Sequence, residues 1–173
     1  MSKIIFRARL TDASPIAAAA DVGYPDFEMF SWLFSSPLAP GTLAPDFSLP
    51  DDSGGTVTLS ALHGKKVVLV FYPGDDTPGC TKQLCQFRDD WSKARAAGVA
   101  VYGVNPGSAR SHTKFREKFH FPFPLLVDQG QKVAELYHAN GLIVKRTVYV
   151  IGPDGKIRFA QRGMPSPAEV LAA

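Results

Sequence analysis

The run from Val67 to Cys85 limits what this chain can fold into more than any other stretch. Val67-Val68-Leu69-Val70-Phe71-Tyr72 is continuously apolar. A strand with that pattern must be covered on both faces, so it belongs inside a sheet with a layer on each side. Pro73 removes a backbone donor and ends the strand. Gly74-Asp75-Asp76-Thr77-Pro78-Gly79 is turn sequence. At or near Cys80 the pattern becomes helical. Leu84, Phe87 and Trp91 then recur at three- and four-residue spacing, which predicts an amphipathic helix ending at Gly98.

Both cysteines of the chain, Cys80 and Cys85, lie in this segment. The start of a helix presents unpaired N–H groups and a partial positive charge. Both favour a thiolate over a thiol, and the thiolate is the nucleophile. Free cysteine is also a small buried hydrophobe in many proteins, and Cys85 alone reads that way. Cys80, at a strand-to-helix corner, reads as reactive. If residues 80 to 85 are helical, their Cα atoms lie about 8 to 9 Å apart and the side chains point about 140° apart. A disulfide needs Cα atoms within about 7 Å. The two thiols therefore never bond, or they bond when the helix start unwinds.

Elsewhere the chain alternates strands with helices. Ala44 to Leu49 reads as extended, Thr56 to Leu59 alternates like a strand, and Ser60 to His63 reads as a helical turn closed by Gly64. Val99 to Val104 is the next buried strand, Ser108 to Phe119 a second helix, Leu125 to Val127 a short strand and Gln131 to Tyr137 a short helix. Thr147 to Ile151 and Lys156 to Gln161 flank a Gly-Pro-Asp-Gly hairpin turn, and Ser166 to Ala172 closes as a helix. This order predicts an α/β sandwich with a mixed central β-sheet flanked by helices. Residues 1–40 differ from the rest. They hold an alanine run and the aromatic stretch Phe27 to Phe34, and they read as an N-terminal extension before a domain over 41–173. Phe27 to Phe34 is costly to leave in water and is expected to pack on the domain or on a second subunit.

Composition removes several classes of function. The net charge of +3 is small and spread along the 173 residues, which argues against nucleic acid. No apolar run reaches the roughly 18 residues a membrane span needs. Two cysteines five residues apart are no secreted disulfide framework; they fit a reducing compartment, the cytoplasm, where a disulfide is transient. Neither a secretory signal nor a transit peptide fits the N-terminal region, which carries Asp12, Asp21, Asp26 and Glu28. His63 and His112 lack the tight cysteine pairs of a zinc site, and Asp75-Asp76 reads as turn chemistry.

Pro73-x-x-x-Thr77-x-x-Cys80 resembles the active-site signature of the peroxiredoxins. Cys85, with Phe87-Arg88-Asp89 after it, is similar to the peroxiredoxin Q class, also called bacterioferritin comigratory proteins. Ser111-His112-Thr113-Lys114-Phe115, Phe123 to Asp128, and Arg146 to Ile151 with Asp154-Gly155-Lys156-Ile157 resemble that class in the same order. The resemblance covers about residues 41 to 172 and implies a thioredoxin-like fold. It implies a thiol peroxidase for hydrogen peroxide and organic hydroperoxides, with no metal or organic cofactor.

In that reading Cys80 is the peroxidatic cysteine, oxidised by peroxide to sulfenic acid. Cys85 is the resolving cysteine, which closes an intramolecular disulfide that thioredoxin or a similar dithiol reductant reopens. Thr77 bonds the thiolate and the peroxide. Arg146 keeps Cys80 ionised and holds the substrate oxygens. Pro73 walls the pocket, and the N–H groups at 79 and 80 stabilise charge as the O–O bond breaks. Two local departures stand out. Position 83 is Gln where the class often has Glu, so Gln83 is left out of the expected site, and Tyr137 to Lys145 is short for the class. A monomer is expected, or a weak homodimer through residues 27–34. Two other classes compete. A dithiol oxidoreductase would want C-x-x-C; a redox-sensing or partner-binding module would react at Cys80 without efficient turnover.

Overall fold

The computed structural model describes residues 35–173. A short hairpin comes first, β1 (Ser48–Pro50) antiparallel to β2 (Thr56–Thr58). The apolar run becomes β3 (Val67–Phe71), the middle strand of a five-stranded sheet. Around it stand β4 (Ala100–Asn105), β5 (Leu125–Val127), β6 (Thr147–Ile151) and β7 (Ile157–Arg162), in the spatial order β5-β4-β3-β6-β7. β3, β4 and β5 run parallel, and β6 and β7 are antiparallel additions, which makes the sheet mixed.

The continuous run is explained by two cores. Val67, Leu69 and Phe71 point into a cluster with Phe47, Tyr137, Tyr149 and Ile157. Val68, Val70 and Tyr72 point the other way, among Leu84, Phe87, Phe115, Phe123 and Val148. Side chains alternate across a strand, so an all-apolar strand needs apolar cover on both sides. Each such side chain removed from water contributes about 1.5–3 kcal/mol.

The helices are α1 (Pro78–Asp89), α2 (Trp91–Ala96), α3 (Ala109–Phe119), α4 (Lys132–Leu136) and α5 (Pro167–Ala172). The helix expected from Cys80 to Gly98 differs in two ways. It starts earlier, with Thr77 at the N-cap and Pro78 in the first turn, where its missing N–H costs nothing. It also breaks at Asp90, whose backbone (φ −93°, ψ 9°) leaves helical values. After the break Trp91 packs on Phe123 with ring centres 5.9 Å apart. Ser108 caps α3 by accepting from Ser111 N, and Ser166 with Glu169 forms a capping box on α5.

Residues 35–40, grouped by sequence with the extension, are bonded to the body. Leu38 N donates to Tyr149 Oη at 3.0 Å, and Arg162 donates to the Ser35 carbonyl at 2.7 Å. The aromatic stretch 27–34 and its suggested packing lie outside the described residues.

Candidate active site

Strand register decides what meets Cys80. β3 and β6 are antiparallel and pair Phe71 with Thr147. Arg146, the residue before β6, therefore lands beside the end of β3, where the chain turns into α1. Its Nη2 lies 3.2 Å from Cys80 Sγ, across a separation of 66 residues. Cys80 is 1% exposed and Arg146 half-buried, so little water competes for this contact. The guanidinium is a fixed counter-charge for a thiolate there.

The helix start adds to the same end of the site. Its first backbone bond runs from Thr81 N to Thr77 O at 2.9 Å. Helix geometry leaves the Gly79 and Cys80 N–H groups without a partner inside α1. Gly79 has a steric duty as well: a Cβ there would lie 3.3 Å from Arg146 Nη2, closer than comfortable contact. Thr77 stands exposed at the N-cap without capping through its side chain; its hydroxyl donates to Gly74 O at 3.2 Å. Pro73 is half-buried just after β3.

Gln83 is the residue the sequence reading left out. It is fully buried, and its Oε1 accepts from Arg146 Nη1, while its Nε2 reaches the Gly163 carbonyl at 3.5 Å. An amide keeps the acceptor that orients the guanidinium and adds no negative charge to offset it. Its three-residue spacing from Cys80, one turn along the same helix face, was the signal that could have found it.

Cys80 and Cys85 are both free and both inside α1. Cys85 is partly exposed, and burial pushes its thiol above the ordinary value; Arg88 pulls it partly back and Asp89 pushes it further up. Asp75 and Asp76 do more than turn the chain: Asp75 bonds Ser111 and His112, and Asp76 pairs with Lys118, all on α3. His112 is engaged on both sides of its ring, with Nδ1 2.8 Å from Asp75 Oδ2 and Nε2 3.3 Å from the Leu126 carbonyl. The short segment after Tyr137 is fixed at Gly141, whose N–H and carbonyl both bond the Gln131 amide; Leu142 and Ile143 beyond it are exposed.

A thioredoxin-like sheet with a buried thiol at the first turn of the helix after its central strand, faced by an arginine, is the arrangement of a thiol-dependent peroxidase. The chain belongs to the AhpC/TSA family, whose sequence profile matches residues 40–160. It is similar to the chloroplastic peroxiredoxin Q of Oryza sativa subsp. japonica, 35% identical over 173 residues, covering 96% of this chain and 78% of that protein. It is 40% identical over 134 residues to the chloroplastic peroxiredoxin Q of Triticum aestivum, covering 75% of this chain, and it spans 62% of the wheat protein's length. Among solved structures, peroxidoxin BcpB from Mycobacterium tuberculosis superimposes with a TM-score of 0.73 at 35% identity, covering 78% of this chain and 95% of that one. Among the described residues no helix is long and apolar enough to cross a membrane.

Proposed function

We propose that this chain reduces hydrogen peroxide and organic hydroperoxides with Cys80 as the peroxidatic and Cys85 as the resolving cysteine. The observation that carries this is the 3.2 Å approach of Arg146 to a buried Cys80 sulfur at the start of α1. The Cys80 thiolate attacks one peroxide oxygen and the O–O bond breaks. The departing oxygen takes a proton and leaves as water or an alcohol, and Cys80 becomes sulfenic acid. Arg146 and the free N–H groups at 79 and 80 hold the developing charge. Thr77 orients the peroxide by turning its hydroxyl from Gly74 toward the substrate, and Pro73 shields the sulfenic acid.

Cys85 then attacks the Cys80 sulfur, water leaves, and a disulfide forms. A thioredoxin-type dithiol restores both thiols by exchange, so two electrons and two protons enter per peroxide. The partners are peroxides and a dithiol protein, and the compartment we assign is the cytoplasm, where such a disulfide is short-lived.

A thioredoxin-coupled peroxide assay tests the assignment. Cys80→Ser is expected to lose all turnover, and surviving activity would sink the reading. Cys85→Ser is expected to keep the first oxidation at Cys80 and to form no intramolecular disulfide, read by mass spectrometry after one equivalent of peroxide.

A further inference from the structure

One carboxylate in the loop between β3 and α1 gathers four side-chain contacts. Asp75 Oδ1 accepts from Tyr72 Oη at 2.8 Å and from Asn105 Nδ2 at 3.2 Å. Its Oδ2 accepts from Ser111 Oγ at 2.5 Å and meets His112 Nδ1 at 2.8 Å. The donors come from the end of β3, the end of β4 and the first turn of α3. A carboxylate offers about four acceptor positions, and all are in use. The backbone closes in here too. Gly107 N donates to Asn105 Oδ1, and a Cβ on Gly107 would stand 2.8 Å from that oxygen and 2.9 Å from His112 Cε1.

His112 is fully buried, and both of its ring nitrogens face acceptors. Nδ1 faces the Asp75 carboxylate, and Nε2 faces the Leu126 carbonyl on β5 at 3.3 Å. A carbonyl oxygen only accepts, and so does a carboxylate already receiving three other donors, so the two contacts suit a ring that donates from both nitrogens, with the Asp75 carboxylate as its partner on one side. Burial alone would raise the Asp75 carboxyl; the bonds from His112 and Ser111, the His112 charge and the bond from Tyr72 bring it below its ordinary value.

We propose that His112 is a positioning residue of the peroxidase site: as an imidazolium paired with Asp75, it fixes the loop that carries Pro73 and Thr77 at the mouth of the Cys80 pocket. Asp75 lies two residues from each of them. Its neighbour Asp76 adopts the left-handed φ of +53°, a strained shape for a non-glycine residue, and pairs with Lys118 at 2.6 Å. Two successive aspartates therefore hold the loop to α3 in one conformation. The loop stays anchored at 75 and 76, while the bonds that must open for Cys85 to reach Cys80 lie beyond residue 77.

This inference rests on Cys80 being the peroxidatic cysteine, so its test has an arm that needs no peroxide. Nitrogen-15 NMR of histidine-labelled, reduced, full-length protein reads the ring directly. At neutral pH both His112 nitrogens are expected to be protonated, and one bare nitrogen overturns the pair. The second arm compares two rates at Cys80 in His112→Gln and Asp75→Asn. Oxidation by hydrogen peroxide is expected to fall about 100-fold, the scale of an ångström-sized misplacement. Alkylation by iodoacetamide, which needs the thiolate but no peroxide geometry, is expected to change far less. An unchanged oxidation rate overturns the positioning role, and so does an equal loss in both rates. A wild-type protein without peroxidase activity would instead defeat the assignment of Cys80, with the NMR result still standing.

Discussion

At Arg146 one guanidinium serves two partners: Nη2 faces Cys80 Sγ and Nη1 donates to Gln83. A planar fork can do this and an ammonium cannot, because the two donors are set apart at fixed angles. Arg146→Lys is therefore expected to behave as a loss rather than a conservative change. The second-order rate of Cys80 with hydrogen peroxide should fall about 10²- to 10³-fold, the usual cost of removing an oriented charge-stabilising donor. A lysine variant within a few fold of wild type in stopped flow would show that charge alone suffices. Asp75 gives a pH prediction. Its carboxyl is held below the ordinary value, chiefly by its bonds from His112 and Ser111 acting against burial. A carboxyl lowered by folding stabilises fully above its unfolded value, about pH 4, and loses that contribution as pH falls through the folded value. Asp75→Asn should melt well below wild type at neutral pH, with the gap closing in acid. A gap that stays constant down to pH 3 would contradict this.

Helix α1 has two opposed requirements. In the proposed reaction it must be intact to place Cys80 under Arg146, and it must open to let Cys85 reach Cys80. Leu84 and Phe87 are buried and hold its middle, whereas Thr77 and Pro78 at its start are exposed and make few bonds. Gly79 sits at the balance point. Gly79→Ala is expected to stabilise the fold by about 0.5–1 kcal/mol, because glycine in a helix loses more entropy than alanine. The added Cβ, 3.3 Å from Arg146 Nη2, should push the guanidinium away and slow oxidation of Cys80 up to about tenfold. A stiffer first turn should slow disulfide closure as well. Denaturant melts and single-turnover kinetics read the three effects separately, and a variant both less stable and faster would contradict them.

Across the whole molecule, much of the fold was legible because it rests on local patterns. The run Val67–Tyr72 demands cover on two faces, and the two clusters around it supply that cover. The turn at Gly152–Gly155 returns β7 against β6 as expected. What stayed hidden depends on contacts between segments far apart in sequence. Nothing near Asp90 announces that the long helix breaks there, since Trp91 keeps the apolar spacing. Asp75 looks like any turn aspartate until β4 and α3 bring Asn105, Ser111 and His112 to it. Gln83 was passed over on residue type, although its spacing from Cys80 put it on the same helix face. The proximity of Arg146 to Cys80 came from family resemblance, and the pairing of Phe71 with Thr147 gives its physical cause.

The proposed function requires α1 to open so that Cys80 and Cys85 can join. Hydrogen exchange with mass spectrometry, on the reduced protein and after one equivalent of peroxide, tests it most directly. The account predicts a peptide carrying the 80–85 disulfide together with lost amide protection over residues 79–85, while β3 and β4 stay protected. An 80–85 disulfide formed with α1 protection unchanged, or no such disulfide at all, would contradict it.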